Sequence, residues 1–144
     1  MIDKVFIDTN ILVYLFDKSE KEKQTRVKKL ISELLPQTRM FVSVQVINEF
    51  INVTGKKIAT PISPAQQKEI IEFINDIFII TSLNVGTTLS ALEISQKYKI
   101  SFWDSLIISS ALENKCNVLY SEDMQNEFSI YNKIKIVNPF IKVQ

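Results

Sequence analysis

The sequence predicts an α/β sandwich: three layers around a mainly parallel central sheet of four to five strands, in one domain over residues 1–144. Three observations carry this. Short apolar, β-branched runs alternate with longer stretches of helical period, the pattern of strand–helix units around a parallel sheet. The helical stretches open on recognisable start signals. A chain of 144 residues, 46% hydrophobic and 23% charged, suits a single globular core. No repeat, low-complexity stretch or linker interrupts it.

The elements follow in order. Residues 4–7 are a buried strand ending at Asp8-Thr9-Asn10, and residues 11–16 a short helix. Ser19-Glu20-Lys21-Glu22 fits a capping box and opens a charged helix with Val27, Leu30, Ile31, Leu34 and Leu35 on one face, stopped by Pro36. Residues 40–43 are a second strand. From residue 44 to about 54 the period is helical, with Val46, Phe50 and Val53 as the apolar stripe and Gln45, Asn48 and Asn52 opposite. Ser63-Pro64-Ala65-Gln66 starts a helix that runs to about Asp76. Residues 78–80 read as a third strand. A helix carrying Leu89 and Leu92 ends near Tyr98, and Ser101 caps another that reaches about Glu113. Residues 118–120 and 134–137 are the fourth and fifth strands.

Missing residue types narrow the chemistry. The chain has no histidine, which removes Ser-His-Asp triads, histidine bases and histidine metal ligands together. One cysteine, Cys116, excludes internal disulfides and thiolate zinc sites, and reads as a small buried hydrophobe. Two glycines, Gly55 and Gly86, cannot build a phosphate-binding glycine loop. Seventeen basic residues against sixteen acidic ones give a net charge of +1, so any electrostatic recognition comes from local clustering. The N-terminal residues are unlike a signal peptide, and no apolar run reaches the roughly 18 residues of a membrane span. The expectation is a soluble cytoplasmic protein with no membrane partner.

What remains is oxygen chemistry. In an open parallel sheet, ligands bind beyond the carboxyl ends of the strands. Asp8 follows the first strand and Asp123 the fourth, while Asp104 and Glu49 lie in the first turns of helices. Each alone has an ordinary explanation: Asp8 or Asn10 as a helix cap, Asp104 as part of the Ser101 capping box, Glu49 as a solvated helix residue, Asp123 as a polar loop residue. Gathered at one edge they would repel one another, and a fold keeps such a cluster when a cation occupies it. Donors without His or Cys select a hard ion, Mg²⁺ or Mn²⁺. Such ions clamp the oxygens of a phosphodiester displacement and activate water where no histidine base exists.

Ile7-Asp8-Thr9-Asn10, Val46-Ile47-Asn48-Glu49-Phe50, Ser101-Phe102-Trp103-Asp104-Ser105-Leu106-Ile107 and Leu119-Tyr120-Ser121-Glu122-Asp123 resemble, in order and spacing, the motifs of the PIN-domain ribonucleases. The VapC-type toxins of toxin–antitoxin pairs are the most similar subgroup. The resemblance implies a PIN-like (Rossmann-like) fold and a Mg²⁺- or Mn²⁺-dependent endoribonuclease. It places Asp8, Glu49, Asp104 and the more variable Asp123 as catalytic, metal-holding acids. Asn10 and Ser121 match polar positions of the same pocket. Glu122 competes with Asp123 for the fourth role, and spacing favours Asp123. A cognate antitoxin and a homodimer are the implied partners besides RNA, with the helix pair between Ser19 and Thr54 as the expected antitoxin groove.

For phosphate contacts the candidates are Arg26, Lys56 and Lys57. Tyr98 and Trp103 are expected in the core rather than as base-stacking platforms. Three alternatives stand beside the nuclease. An aspartate-nucleophile phosphatase or phosphotransferase resembling the haloacid dehalogenases would want a second acid where Asn10 stands. A receiver-like module would want an aspartate after Phe78-Ile79-Ile80. An inactive PIN-like binding module would keep the fold without the chemistry.

Overall fold

The computed structural model describes residues 3–141; residues 1, 2 and 142–144 of the expected domain lie outside the described residues. The chain runs β1 (Asp3–Ile7), α1 (Thr9–Phe16), α2 (Lys21–Leu34), β2 (Thr38–Ser43), α3 (Val44–Lys56), α4 (Pro64–Ile77), β3 (Ile79–Thr81), α5 (Val85–Tyr98), α6 (Phe102–Glu113), β4 (Val118–Tyr120), β5 (Ser129–Ile130) and β6 (Ile134–Val137). One sheet of order β3-β2-β1-β4-β6-β5 forms, parallel except for β5 against β6. This is the expected three-layer α/β sandwich.

β1 lies inside the sheet, so its apolar run is continuous rather than alternating, and Val5, Phe6 and Ile7 are all buried. Each such side chain contributes about 1.5–3 kcal/mol of burial. The centre of α6 is buried all round from Ser105 to Ala111, which makes it an internal strut. Chain order reverses at β1: β2 pairs on one side and β4 on the other. A crevice opens at such a switch point, just beyond the carboxyl ends of β1 and β4. Asp8 N–H donates to Tyr120 O (3.0 Å), carrying the pairing of the two strands one residue into the crevice.

The structure departs from the expected elements in several places, with α1 starting at Thr9 and β2 at Thr38, two residues earlier than expected. Ser19 does not cap α2; its N–H and hydroxyl both donate to Asp17 (3.0 and 2.6 Å), and α2 starts two residues later without a side-chain cap. The third strand is shifted by one residue, because Phe78 closes α4 instead. α5 begins at Val85, where Asn84 and Thr87 form a reciprocal capping box. A sixth strand, β5, exists only as Ser129–Ile130, too short to leave a period in the sequence. No described helix is long and apolar enough to cross a membrane.

Candidate functional site: an acidic cleft at the strand ends

Asp8 occupies the N-cap position of α1, directly after β1. It is 7% exposed. One carboxylate oxygen accepts from Thr9 N–H (2.7 Å) and the other from the Ser121 hydroxyl (2.7 Å), which reaches across from the end of β4. Ser121 is itself fully buried behind Asp8.

The loop after β4 brings in Asp123. Asn10 Nδ2 donates to Asp123 Oδ2 (2.8 Å), and Asn10 Oδ1 accepts from Glu122 N–H (3.3 Å). Glu122 points elsewhere, to the Tyr14 hydroxyl and the Lys23 ammonium. Asp123, not Glu122, lines the cleft.

The other two acids come from helices. Ser43, at the end of β2, caps α3 and sets its direction; Glu49 follows one and a half turns later. Gln45 Nε2 donates to Glu49 Oε1 (2.9 Å). Ser101 caps α6 by accepting from Asp104 N–H (3.2 Å), which places Asp104 in the first turn. Asp8, Glu49, Asp104 and Asp123 all line one cleft of about 500 Å³, together with Thr9, Asn10, Tyr14 and Asp17.

Their electrostatics are shared. Burial pushes the Asp8 carboxyl up to about 6; the Ser121 and Thr9 hydrogen bonds oppose this, and the charges of Asp104 and Glu49 add to it. Glu49 is raised by partial burial and by Asp104, against the Gln45 hydrogen bond. Asp104 is raised by partial burial and by Asp123, against Ser101. Asp8, Glu49 and Asp104 are thus all held above the usual carboxylate range, each in part by the negative charge of a neighbouring acid.

Among the described residues, no three acidic or cysteine side chains stand close enough to form a closed metal cage. The acids reach the cleft from separate elements, Asp8 held by Ser121, Glu49 by Gln45 and Asp123 by Asn10. The donor chemistry nevertheless fits a hard divalent ion: every candidate donor is oxygen, and the buried Thr9 Oγ1 beside Asp8 has no hydrogen-bond partner.

The remaining candidates divide. Lys57, at the end of α3, lines the cleft; Lys56 does not. Arg26 lies outside it, its Nε donating to Pro139 O (2.9 Å). Trp103, expected in the core, is 66% exposed, whereas Tyr98 packs edge-on against Phe128 and Tyr131. Sequence reasoning missed Thr9, Tyr14 and Asp17 as cleft residues. Asp17 is buried and engaged by Ser19, and the Asp-Lys-Ser spacing of that turn was its only signal.

Fold and site together define an α/β domain whose strand-end crevice is walled by carboxylates. The PIN domain model matches residues 5–131, and the chain belongs to the PIN domain family. Among solved structures it is similar to a toxin–antitoxin complex from Klebsiella pneumoniae (18% identity, 94% of this chain and 98% of that one, TM-score 0.69). It is also similar to VapBC2 from Rickettsia felis bound to a promoter DNA fragment (18%, 94% and 99%, TM-score 0.67). A third is VapC20 of Mycobacterium tuberculosis, a toxin that cleaves the sarcin–ricin loop (14%, 80% and 86%, TM-score 0.62). At these identities the likeness is one of fold. No curated protein matches the chain.

Proposed function

We propose that this chain is the toxin of a type II toxin–antitoxin pair, an endoribonuclease that depends on Mg²⁺ or Mn²⁺ and acts in the cytoplasm. One observation carries the reading: Asp8, Glu49, Asp104 and Asp123, up to 115 positions apart, line a single cleft, and the first three are held above the usual carboxylate range there. A hard divalent ion bound there would neutralise these charges and supply electrophilic stabilisation of the phosphate.

The residues have distinct tasks. Asp8 and Asp104 are the direct ion ligands; Asp123 binds directly or through water. Glu49 orients the attacking water. Ser121 and Asn10 act one layer out, fixing the carboxylates of Asp8 and Asp123 by hydrogen bonds. Lys57, at the cleft wall, offers positive charge to the RNA backbone. In the hydrolysis a water oxygen adds to phosphorus and the bond to the 3′ oxygen breaks. The water proton is released and the leaving oxygen takes one up, giving 5′-phosphate and 3′-hydroxyl ends.

The antitoxin would seat on an apolar groove of about 820 Å³ between α2 and α4, lined by Phe16, Ile31, Leu35, Ile70 and Phe73. The sequence pointed to the helix pair between Ser19 and Thr54; the apolar lining favours α2 with α4 instead. An amphipathic antitoxin helix suits such a groove. Val85, Leu89 and Leu92 leave an exposed i, i+4, i+7 stripe on α5, which favours a homodimer through that face. Neither the phosphotransferase nor the inactive-module alternative gains a specific observation. The test is RNA cleavage that requires Mg²⁺ or Mn²⁺, stops with EDTA and falls by orders of magnitude in Asp8→Asn; cleavage indifferent to EDTA contradicts the proposal.

A further inference from the structure

Two adjacent acids end the β4 loop, and only one faces the cleft. The other, Glu122, is gripped from the opposite side. The Tyr14 hydroxyl donates to its Oε1 (2.5 Å), and the Lys23 ammonium pairs with its Oε2. Lys23 also donates to the Tyr14 hydroxyl (3.1 Å) and sits over the Tyr14 ring, 4.8 Å from its centroid. Glu122 and Lys23 are both partly buried, at 23% and 36% side-chain exposure, so the pair is screened less than a free surface pair. Behind it the Phe140 ring packs edge-on against Tyr14, and Asn138 Nδ2 donates to Glu122 O (3.4 Å).

The grip fixes backbone as well as side chain. Glu122 N–H donates to Asn10 Oδ1, and the other end of the same amide donates to Asp123 Oδ2. Holding Glu122 outward therefore orients Asn10, and through Asn10 the Asp123 carboxylate. We propose that Lys23 and Tyr14 are positioning residues for the acidic cleft: by neutralising and anchoring Glu122 they keep a competing carboxylate out and aim Asp123 in. This rests on the nuclease reading above and deepens it, since none of the three residues belongs to the ion-holding set.

The test uses full-length protein, with Mn²⁺ binding measured calorimetrically in the absence of RNA beside the rate of RNA cleavage. The variants are Lys23→Met, Glu122→Met and the charge-swapped pair Lys23→Glu with Glu122→Lys. Each single variant should weaken Mn²⁺ binding about tenfold, the scale for partners that orient ligands, with cleavage falling in parallel. The swapped pair should return to within about threefold of wild type, because it restores the anchor while removing the carboxylate from position 122. Circular dichroism melting checks that the single variants remain folded. Unchanged Mn²⁺ binding in both single variants overturns the proposal. So does a swapped pair no better than Glu122→Met, which would make Glu122 itself a ligand. Wild-type protein that neither binds Mn²⁺ nor cleaves RNA would instead bring down the nuclease reading, and the proposal with it.

Discussion

The two sides of the cleft are built differently. On the strand side, Asp8 is nearly inaccessible, both its oxygens are committed to Thr9 and Ser121, and its carboxyl is pushed up to about 6. On the helix side, Glu49 is exposed and Asp104 half-buried, and Glu49 is held by a glutamine from its own helix. The strand side is held in place at a cost in stability, whereas the helix side carries less of that cost. On the nuclease reading, Asp8 would fix where an ion sits, and Glu49 and Asp104 would complete the shell around it.

Substitutions can break that contrast. The largest effect should come from Asp8→Asn, which should reduce cleavage roughly a hundredfold or more, the scale of losing one electrostatic partner of the reacting centre. The same change should stabilise the ion-free fold. A carboxyl raised from 3.8 to about 6 on folding binds more protons in the native than in the unfolded state, so stability falls as pH rises from about 4 to about 6. Above that window the penalty is fully present, about 3 kcal/mol at most, and Asn escapes it. Thermal melting of wild type and Asp8→Asn at pH 4 and pH 8 checks this: the variant should gain several degrees at pH 8 and almost nothing at pH 4.

Glu49→Gln should cost about ten- to a hundredfold in cleavage. Its effect on melting should be much smaller than that of Asp8→Asn, because its charge is less buried. Ser121→Ala removes a hydrogen bond to a buried charge and should destabilise by about 1.5–3 kcal/mol at pH 8. At pH 4, where Asp8 is protonated in the folded state, denaturant titration should find a smaller loss. The smallest effects belong to the basic residues. Lys57→Ala should weaken RNA binding and flatten its salt dependence by about one charge in a filter-binding assay. Arg26→Ala, with its guanidinium engaged at Pro139, should leave that slope unchanged.

Much of the strand side was legible in the sequence, because an aspartate directly after an apolar β-branched run has a fixed place in a parallel sheet. The caps Ser63 and Ser101 were legible for the same local reason: the deciding partner is three residues away. Where partners are distant, pattern fails. Glu122 and Asp123 are neighbours with similar chemistry, and what separates them is Lys23, 99 positions earlier in the chain. Ser19 satisfied the capping pattern but met a stronger acceptor in Asp17. Trp103 looked like core by its type, but the helix turns its indole outward while its neighbours Ser105 to Ala111 fill the interior. β5 owes its existence to bonds with β6, such as Ile136 N–H to Phe128 O (2.8 Å), and to no signal of its own.

Whether the strand-side and helix-side acids serve one ion is decided most directly by a crystal structure of the protein soaked in Mn²⁺, with anomalous scattering locating the ion. The account predicts density in the cleft within bonding reach of Asp8 and Asp104, with Glu49 and Asp123 turned toward it directly or through water. Ordered Mn²⁺ elsewhere, with the four carboxylates keeping their present separate partners, would contradict it.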